Sequence, residues 1–81
     1  MKKTLFVVGL DYSINDSALN ELFAAHGTVA SAKVITDKFS GQSRGFGFVE
    51  LSNQDEAEEC IKQLNGTSFL NRTLTVKHKE E

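Results

Sequence analysis

The chain has 81 residues, of which 40% are hydrophobic, and this supports one small domain with a modest core. Its lone cysteine, Cys60, excludes an intramolecular disulfide and a thiol pair for zinc, and no apolar run is long enough to span a bilayer. These features favour a reducing, cytoplasmic location without membrane attachment. The net charge of −2 gives the chain no overall basic character, so any anionic partner has to be recognised by locally placed cations.

The N-terminal part of the chain predicts a strand followed by a helix. Residues 4–9 are apolar and rich in β-branched side chains, which is typical of a strand. Asn15 is suited to cap a helix that extends to about residue 26, and Gly27 stands where a left-handed residue commonly ends a helix. The apolar stripe of this helix, at intervals of three and four residues, consists of Leu19, Leu22 and Phe23.

A second strand, a polar loop and a third strand follow. Residues 29–36 alternate in polarity and predict the second strand, and residues 37–43 predict a loop with a turn at residues 40–41. Residues 44–51 predict the third strand. Phe39 lies in the loop, where its ring can either pack on the loop itself or offer a surface for stacking, and the sequence leaves this choice open.

Successive side chains of a strand point to opposite faces. In the third strand this places the large aromatic residues on the same face as the charged ones, which is unusual. One face carries Arg44, Phe46, Phe48 and Glu50. The other face carries Gly45, Gly47, Val49 and Leu51. If the aliphatic face packs inward, the two rings are exposed beside an arginine, which suits the stacking of bases and the neutralisation of phosphate. The alternative is that both rings face a sandwich core. It is less favoured because two glycines on the opposite face suggest that a helix packs closely there.

The C-terminal half predicts a second helix and a last strand. Asn53, followed three residues later by Glu56, matches a capping arrangement, and Asn-Gly at residues 65–66 ends the helix. A short apolar segment and a turn at residues 71–72 then lead into a strand over residues 73–78. The apolar stripe of the second helix consists of Ala57, Cys60, Ile61 and Leu64.

The order of these elements, β-α-β-β-α-β, predicts an α+β, ferredoxin-like fold with a four-stranded antiparallel sheet. Each helix has one apolar stripe, so both helices should cover one face of the sheet and leave the other bare. We predict a single domain over residues 1–81, with its core at about residues 4–78. The side chains expected on the bare face are Phe6, Lys33, Ile35, Arg44, Phe46, Phe48, Thr75 and Lys77. An exposed apolar patch of this kind usually marks a binding surface.

Two segments of the chain resemble the signatures of the RNA recognition motif family. Arg-Gly-Phe-Gly-Phe-Val-Glu-Leu at residues 44–51 matches the family's octapeptide and departs from it only at Leu51, where an aromatic residue is expected. Leu-Phe-Val-Val-Gly-Leu at residues 5–10 is similar to the second signature, with Gly9 where asparagine is commoner. The resemblance extends over nearly the whole chain, which also looks like the stand-alone, single-motif proteins found in bacteria.

The resemblance implies a binding protein for single-stranded RNA, acting in post-transcriptional regulation or as an RNA chaperone. Phe6 and Phe48 would each stack one base, and Phe46 would lie against the sugars. Arg44 would pair with a phosphate, and Lys77 would reach base edges or phosphate beside them. Lys33 and Thr75 are added because they are expected on the same bare face. The full set of predicted RNA-binding residues is then Phe6, Phe46, Phe48, Arg44, Lys33, Lys77 and Thr75.

The remaining expectations concern partners and chemistry. We expect a monomer that binds single-stranded DNA more weakly than RNA, and no small-molecule substrate or cofactor. No metal is expected, because the histidines and the cysteine lack metal-ligand spacing. A second hypothesis is a protein-interaction module that presents its helical face, or an altered sheet face, to a partner protein. The acidic helix faces would suit a basic partner. An enzyme is a more distant third, since the sequence shows no polar groups that would converge in a pocket.

Overall fold

The structure is a computed structural model that describes residues 3–79; residues 1–2 and 80–81 of the predicted domain lie outside that range. In chain order its elements are β1 (Thr4–Val8), α1 (Asp16–Ala24), β2 (Val29–Thr36), β3 (Ser43–Leu51), α2 (Gln54–Leu64), β4 (Ser68–Phe69), β5 (Arg72–Thr73) and β6 (Thr75–His78). Among the described residues, neither helix is long and apolar enough to cross a membrane.

The main sheet has the strand order β2-β3-β1-β6, and each neighbouring pair is antiparallel. Both helices contribute to the same hydrophobic core as the sheet, so they cover one of its faces. The predicted α+β, ferredoxin-like fold is therefore confirmed. Its consequence for function is that β1 and β3, which carry the two signature segments, lie side by side in the middle of the sheet.

Burial alternates along the two central strands and identifies the inward face. Leu5, Val7 and Val49 have no exposed surface, whereas Phe6 and Phe48 are half-buried. The aliphatic side chains thus point to the helices and the rings to the other face, as predicted, and the sandwich-core alternative is excluded. The helices complete the core with Leu19, Phe23, Ala57, Cys60 and Leu64.

The inward face of β3 needs a small residue at Gly47, because neighbouring elements approach it closely. A Cβ atom at this position would lie 2.5 Å from the carbonyl oxygen of Lys33 in β2 and 3.2 Å from Leu19 Cδ2 in α1. The glycine therefore allows both the neighbouring strand and the helix to approach closely. The sequence predicted that a helix packs closely against the glycines of this strand, and α1 does so at Gly47. At Gly45 the nearest atoms belong instead to the loop after β1, on Tyr12 and Leu10.

The predicted N-caps of both helices are confirmed, but the predicted end of α1 is wrong. Asn15 Oδ1 accepts from the Ala18 N–H at 2.9 Å, and Asn53 Oδ1 accepts from the Glu56 N–H at 2.8 Å. The helix α1 ends at Ala24 rather than near residue 26, and its cap residue is right-handed. Gly27 is not a left-handed terminator. It is small because a Cβ there would lie 3.2 Å from side-chain atoms of Leu51 and Glu56.

The segment between α2 and β6 differs from the prediction. The turn lies at Leu70 and Asn71, both with positive φ (53° and 67°), rather than at residues 71–72. It connects β4 and β5 in a separate two-stranded hairpin, so Thr73 belongs to that hairpin and not to the last strand of the main sheet. Two positive φ values are typical of the tight turns that match strand twist. Asn71 suits this backbone, but Leu70 gives no sequence signal for it.

Candidate nucleic-acid interface

Three phenylalanine rings form a contiguous group, here called the ring cluster, on the face of the sheet that the helices leave bare. The centroids of Phe6 and Phe48 are 5.3 Å apart with an interplanar angle of 31°. Phe46 meets both rings edge-on, at 5.6 Å from Phe6 and 6.5 Å from Phe48. Such pairs contribute about 0.5–1.5 kcal/mol beyond area burial. Mutual packing therefore holds the rings in place while each keeps part of its surface exposed.

The strand register arranges the predicted residues in rows across the sheet. Phe6 lies opposite Phe48 on one side and Lys77 on the other, and Phe48 lies opposite Lys33. Residues directly opposite each other share a face of the sheet. The structure therefore brings two rings and two lysines of the predicted site into one row, although the lysine side chains then take different directions.

Two lysines stand over the ring cluster, and one of them was missed by sequence analysis. Lys77 Nζ lies 5.7 Å from the Phe6 centroid, and Lys79 Nζ lies 5.9 Å from the Phe48 centroid, both within cation–π range. Lys79 follows the predicted last strand, which ends at residue 78, yet its N–H donates to the Thr4 carbonyl oxygen at 2.8 Å and continues the pairing with β1. The two-residue spacing from Lys77 was the signal that places both lysines on one face. A shallow hollow of about 320 Å³ beside them is lined by Phe6, Phe48, Lys77, His78 and Lys79.

Lys33 is in register with the ring cluster, but its ammonium group is not over the rings. Its Nζ lies 3.8 Å from Asp16 Oδ2 at the start of α1, and both side chains are largely exposed. The other carboxylate oxygen of Asp16 accepts from the Val34 N–H at 2.7 Å. Lys33 belongs to the edge strand β2, so its long side chain reaches round the edge toward the helix. An exposed pair of this kind is weak, and the lysine can exchange this partner for another anion.

The backbone changes direction immediately after Arg44. Gly45 has φ +86°, and its carbonyl oxygen accepts from the N–H groups of both Gly9 and Leu10. A positive φ interrupts the extended strand between Arg44 and Phe46. Arg44 is exposed, at the end of the ring cluster where the β2–β3 loop joins β3.

The β2–β3 loop is ordered around Asp37. The carboxylate accepts from the N–H groups of Ser40 and Phe39 at 3.0 and 2.8 Å. These hydrogen bonds lower the pKa of Asp37, with a smaller contribution from the charge of Arg44. Phe39 itself is 93% exposed, so the alternative that its ring packs on its own loop is excluded.

Thr75 lies at the other side of the ring cluster. It is exposed and pairs with Val8, which in turn pairs with Phe46. Its hydroxyl group is therefore on the same face as the rings, at the edge strand β6. It offers both a donor and an acceptor to a ligand lying on that face.

Cys60 is buried in the core, away from the bare face. Burial, together with the charges of Glu56 and Glu59, raises the pKa of Cys60 to about 11, so the thiol stays protonated at neutral pH. Within residues 3–79, no three His, Cys, Asp or Glu side chains are grouped closely enough to hold a metal ion. The bare face itself offers exposed π surface with cations beside it.

Comparison with known proteins decides the family. The family model for the RNA recognition motif matches residues 5–75, which include both signature segments. The chain belongs to the RNA recognition motif family. The fold of RNA recognition motif proteins is the one seen here, as two solved structures show. RNA binding protein PG1 superimposes with a TM-score of 0.93 at 39% identity, covering 98% of this chain and 95% of that one. The Sxl-lethal protein in a protein–RNA complex gives a TM-score of 0.95 at 28% identity, covering 100% and 48%.

The curated relatives correct two expectations. One, a 28 kDa chloroplast ribonucleoprotein of Nicotiana sylvestris, is 42% identical over 77 residues, which are 95% of this chain but 28% of that protein. The chain thus spans about a quarter of the length of such relatives. The expectation of a cytoplasmic location is wrong, since the relatives are chloroplast or mitochondrial proteins. These plant proteins also give no support to the expected likeness to stand-alone bacterial proteins.

Proposed function

We propose that this chain binds single-stranded RNA by stacking bases on the ring cluster. The observation that carries the proposal is the position of Phe6 and Phe48, which lie side by side on a bare sheet face with an ammonium group over each ring. Apolar rings in such a position have no role in the core, which lies on the other face. Unpaired bases are flat and apolar on their faces, and they carry phosphates that the lysines can neutralise.

From this geometry we infer distinct roles for the residues of the site. Phe6 and Phe48 each take one base, because their ring planes are only moderately tilted and adjacent bases can lie over both. Phe46 is edge-on to Phe48 and fits contact with sugars rather than a third parallel stack. Lys77 and Lys79 neutralise phosphates or donate to base edges beside the rings.

The outer parts of the site supply weaker contacts. Arg44 pairs with a phosphate at the end of β3, and Lys33 can leave Asp16 for a phosphate at the edge of β2. Thr75 can hydrogen-bond a ribose 2′-hydroxyl, and Ser31, opposite Glu50 on β3, can do the same at the other edge. These few hydroxyl groups support a modest preference for RNA over DNA. We propose separately that the chain acts as a monomer.

The relatives support this proposal and suggest its setting. Their names describe ribonucleoproteins and RNA-binding proteins, and one structural neighbour is a protein–RNA complex. We infer a role in post-transcriptional regulation or RNA chaperoning, without a catalytic step. A motif that covers about a quarter of its relatives can also act as one part of a larger RNA-binding protein.

The proposal is tested by comparing three ligands of matched sequence: single-stranded RNA, single-stranded DNA and double-stranded RNA. Binding is measured by fluorescence anisotropy at one salt concentration. We expect single-stranded RNA to bind best, single-stranded DNA somewhat more weakly, and the duplex poorly, because paired bases are already stacked and cannot lie on the rings. Duplex binding as tight as single-strand binding would contradict stacking and favour a surface that contacts phosphate alone. No binding to any of the three would favour a protein partner.

The number of cations near the rings predicts a shallow salt dependence. Lys77, Lys79 and Arg44 can neutralise three phosphates, so a plot of log affinity against log salt concentration should have a slope of about −2 for single-stranded RNA. The measurement is an anisotropy titration repeated over a range of potassium chloride concentrations. A much steeper slope would show that cations further from the rings also contact the RNA backbone.

A further inference from the structure

One carboxylate lies on the bare face of the sheet, beside the rings that are proposed to hold an anionic ligand. Glu50 follows Phe48 by two residues in β3, so the two side chains share a face. The residues before and after Glu50 are buried on the opposite face, which confirms this orientation. Glu50 pairs with Thr4 in β1 and with Ser31 in β2. It therefore stands in the row of the sheet next to the one that contains Phe48.

No cation is paired with Glu50 within residues 3–79. The ion pairs in that part of the chain join Lys33 to Asp16 and Arg72 to Asp11. The residues opposite Glu50 on both neighbouring strands carry hydroxyl groups and no charge. Glutamate is also depleted in strands, so the strand itself gives no reason for this residue. The carboxylate of Glu50 is therefore available to a ligand on the bare face.

Charge decides which part of an RNA strand can meet Glu50. A phosphate next to the carboxylate would be repelled, whereas the N–H groups at the edge of a base can donate to it. The cations over the rings, Lys77 and Lys79, lie on β6 and directly after it. Glu50 and Ser31 lie on β3 and β2, which form the other half of the sheet. A nucleotide stacked on Phe48, with its phosphate near the lysines, can thus turn its base edge toward Glu50.

The spacing along β3 allows this contact. Two residues of a strand are separated by about 6.5–7 Å along its axis. A base is wider than the phenyl ring on which it stacks, so its edge projects past Phe48 toward the next row. The neighbours of Glu50 in that row, Thr4 and Ser31, have small side chains that leave room for the edge. The flexible side chain of Glu50 can then bring its carboxylate to the base.

Among the four bases, guanine is the best match for a group that only accepts hydrogen bonds. Its Watson–Crick edge carries two adjacent donors, N1–H and the N2 amino group, which the two carboxylate oxygens can accept together. Uracil has a single N3–H between two carbonyl oxygens, and the carboxylate would be repelled by both. Adenine and cytosine each offer one amino group beside a ring nitrogen that is itself an acceptor. A carboxylate at this position therefore favours guanine most and uracil least.

We propose that Glu50 is a specificity-determining residue, which selects guanine for the base that stacks on Phe48. This inference rests on the proposed function. The ring of Phe48 holds the face of the base, and the carboxylate of Glu50 accepts from N1–H and the N2 amino group at its edge. The same charge rejects bases that present carbonyl oxygens there, so selection acts through repulsion as well as attraction.

The test compares a short all-uridine RNA with the same RNA carrying one central guanosine or one central inosine. Binding to the wild-type chain is measured by fluorescence anisotropy at one salt concentration. The guanosine RNA should bind about tenfold more tightly than the all-uridine RNA, the discrimination typical of a bidentate contact. Inosine stacks as a purine and keeps N1–H but lacks the amino group, so its affinity should lie between the other two.

Two variants show whether the preference comes from the carboxylate. Glu50→Gln should lose most of it, because an amide replaces two acceptors by one acceptor and one donor. Glu21→Gln is the matched control, since it removes the same charge from an exposed position on α1, on the covered side of the sheet. This control should keep the full preference for guanosine. Because Glu50 forms no ion pair within residues 3–79, its variant should melt close to the wild-type temperature.

Three results would overturn the inference. The wild type binds all three RNAs equally, inosine binds as tightly as guanosine, or Glu50→Gln keeps the wild-type preference. The last result, with all three RNAs bound more tightly, would show that the carboxylate acts only as a repulsive charge. The proposed function fails separately: in that case none of the RNAs would bind, or their binding would be insensitive to Phe48→Ala.

Discussion

Replacing Gly9 by alanine is expected to lower the free energy of unfolding by about 2–4 kcal/mol. Gly9 has φ +88°, a backbone conformation that side chains with a Cβ rarely adopt. A Cβ atom there would also collide with the carbonyl oxygen of Thr73, which is backbone and cannot rotate away. Either β1 or the β4–β5 hairpin would have to move. Urea unfolding followed by circular dichroism measures the loss.

Gly66→Ala is the matched control for this prediction. Gly66 has nearly the same backbone conformation, φ +81°, but a Cβ atom added there would have no neighbouring atom within 4 Å. Its replacement should therefore cost only the backbone term, about 1 kcal/mol. The difference between the two variants isolates the contact with Thr73. Equal losses would show that the hairpin can move away from β1 at little cost.

The close approach at Gly9 also explains a departure from the family signature. Asparagine, the commoner residue at this position, tolerates a positive φ, but its Cβ would meet the same carbonyl oxygen as alanine. The glycine is therefore a steric requirement of this chain. The sequence alone could not show this, because the approach depends on the hairpin of Ser68–Phe69 with Arg72–Thr73, whose turn begins at a leucine that gives no turn signal.

Much of the fold and the ring cluster followed from periodicity. Alternation in β1 and β3 separates Leu5 and Val49 from Phe6 and Phe48, and this pattern is set by backbone geometry that local sequence controls. The N-caps followed for the same reason, since Asn15 and its bonding partner are three residues apart. Features determined within a few residues are those that a single sequence can predict.

Long side chains at edges and ends were harder to place. Alternation assigns Lys33 to a face, but it does not show that the side chain bends round the edge to Asp16, which is distant in sequence. In the same way, alternation assigned Arg44 to the ring face but did not show that Gly45, the next residue, has a positive φ. The position of Lys79 over the ring cluster could be predicted only by knowing that the pairing with β1 continues after His78. These positions depend on tertiary neighbours rather than on local pattern.

Replacing both Phe6 and Phe48 by alanine should weaken binding of single-stranded RNA by about 2–6 kcal/mol, twice the usual effect of one stacked base. The two rings lie 5.3 Å apart and each has an ammonium group over it, so their loss removes the stacking surface and the support of both lysines. Isothermal titration calorimetry of the wild type, both single variants and the double variant measures the effect and its additivity.

The control for this experiment is a measurement of the melting temperature of each variant. Leu5, Val7 and Val49, which hold β1 and β3 to the helices, are untouched by the substitutions, so the double variant should stay folded with a modest loss from the ring contacts. Phe6→Tyr and Phe48→Tyr keep the rings and should keep most of the affinity. A collapse of the melting temperature would mean that the rings serve stability, and unchanged affinity in a folded double variant would contradict stacking. Because binding and stability reside on opposite faces of the same strands, they are expected to respond independently.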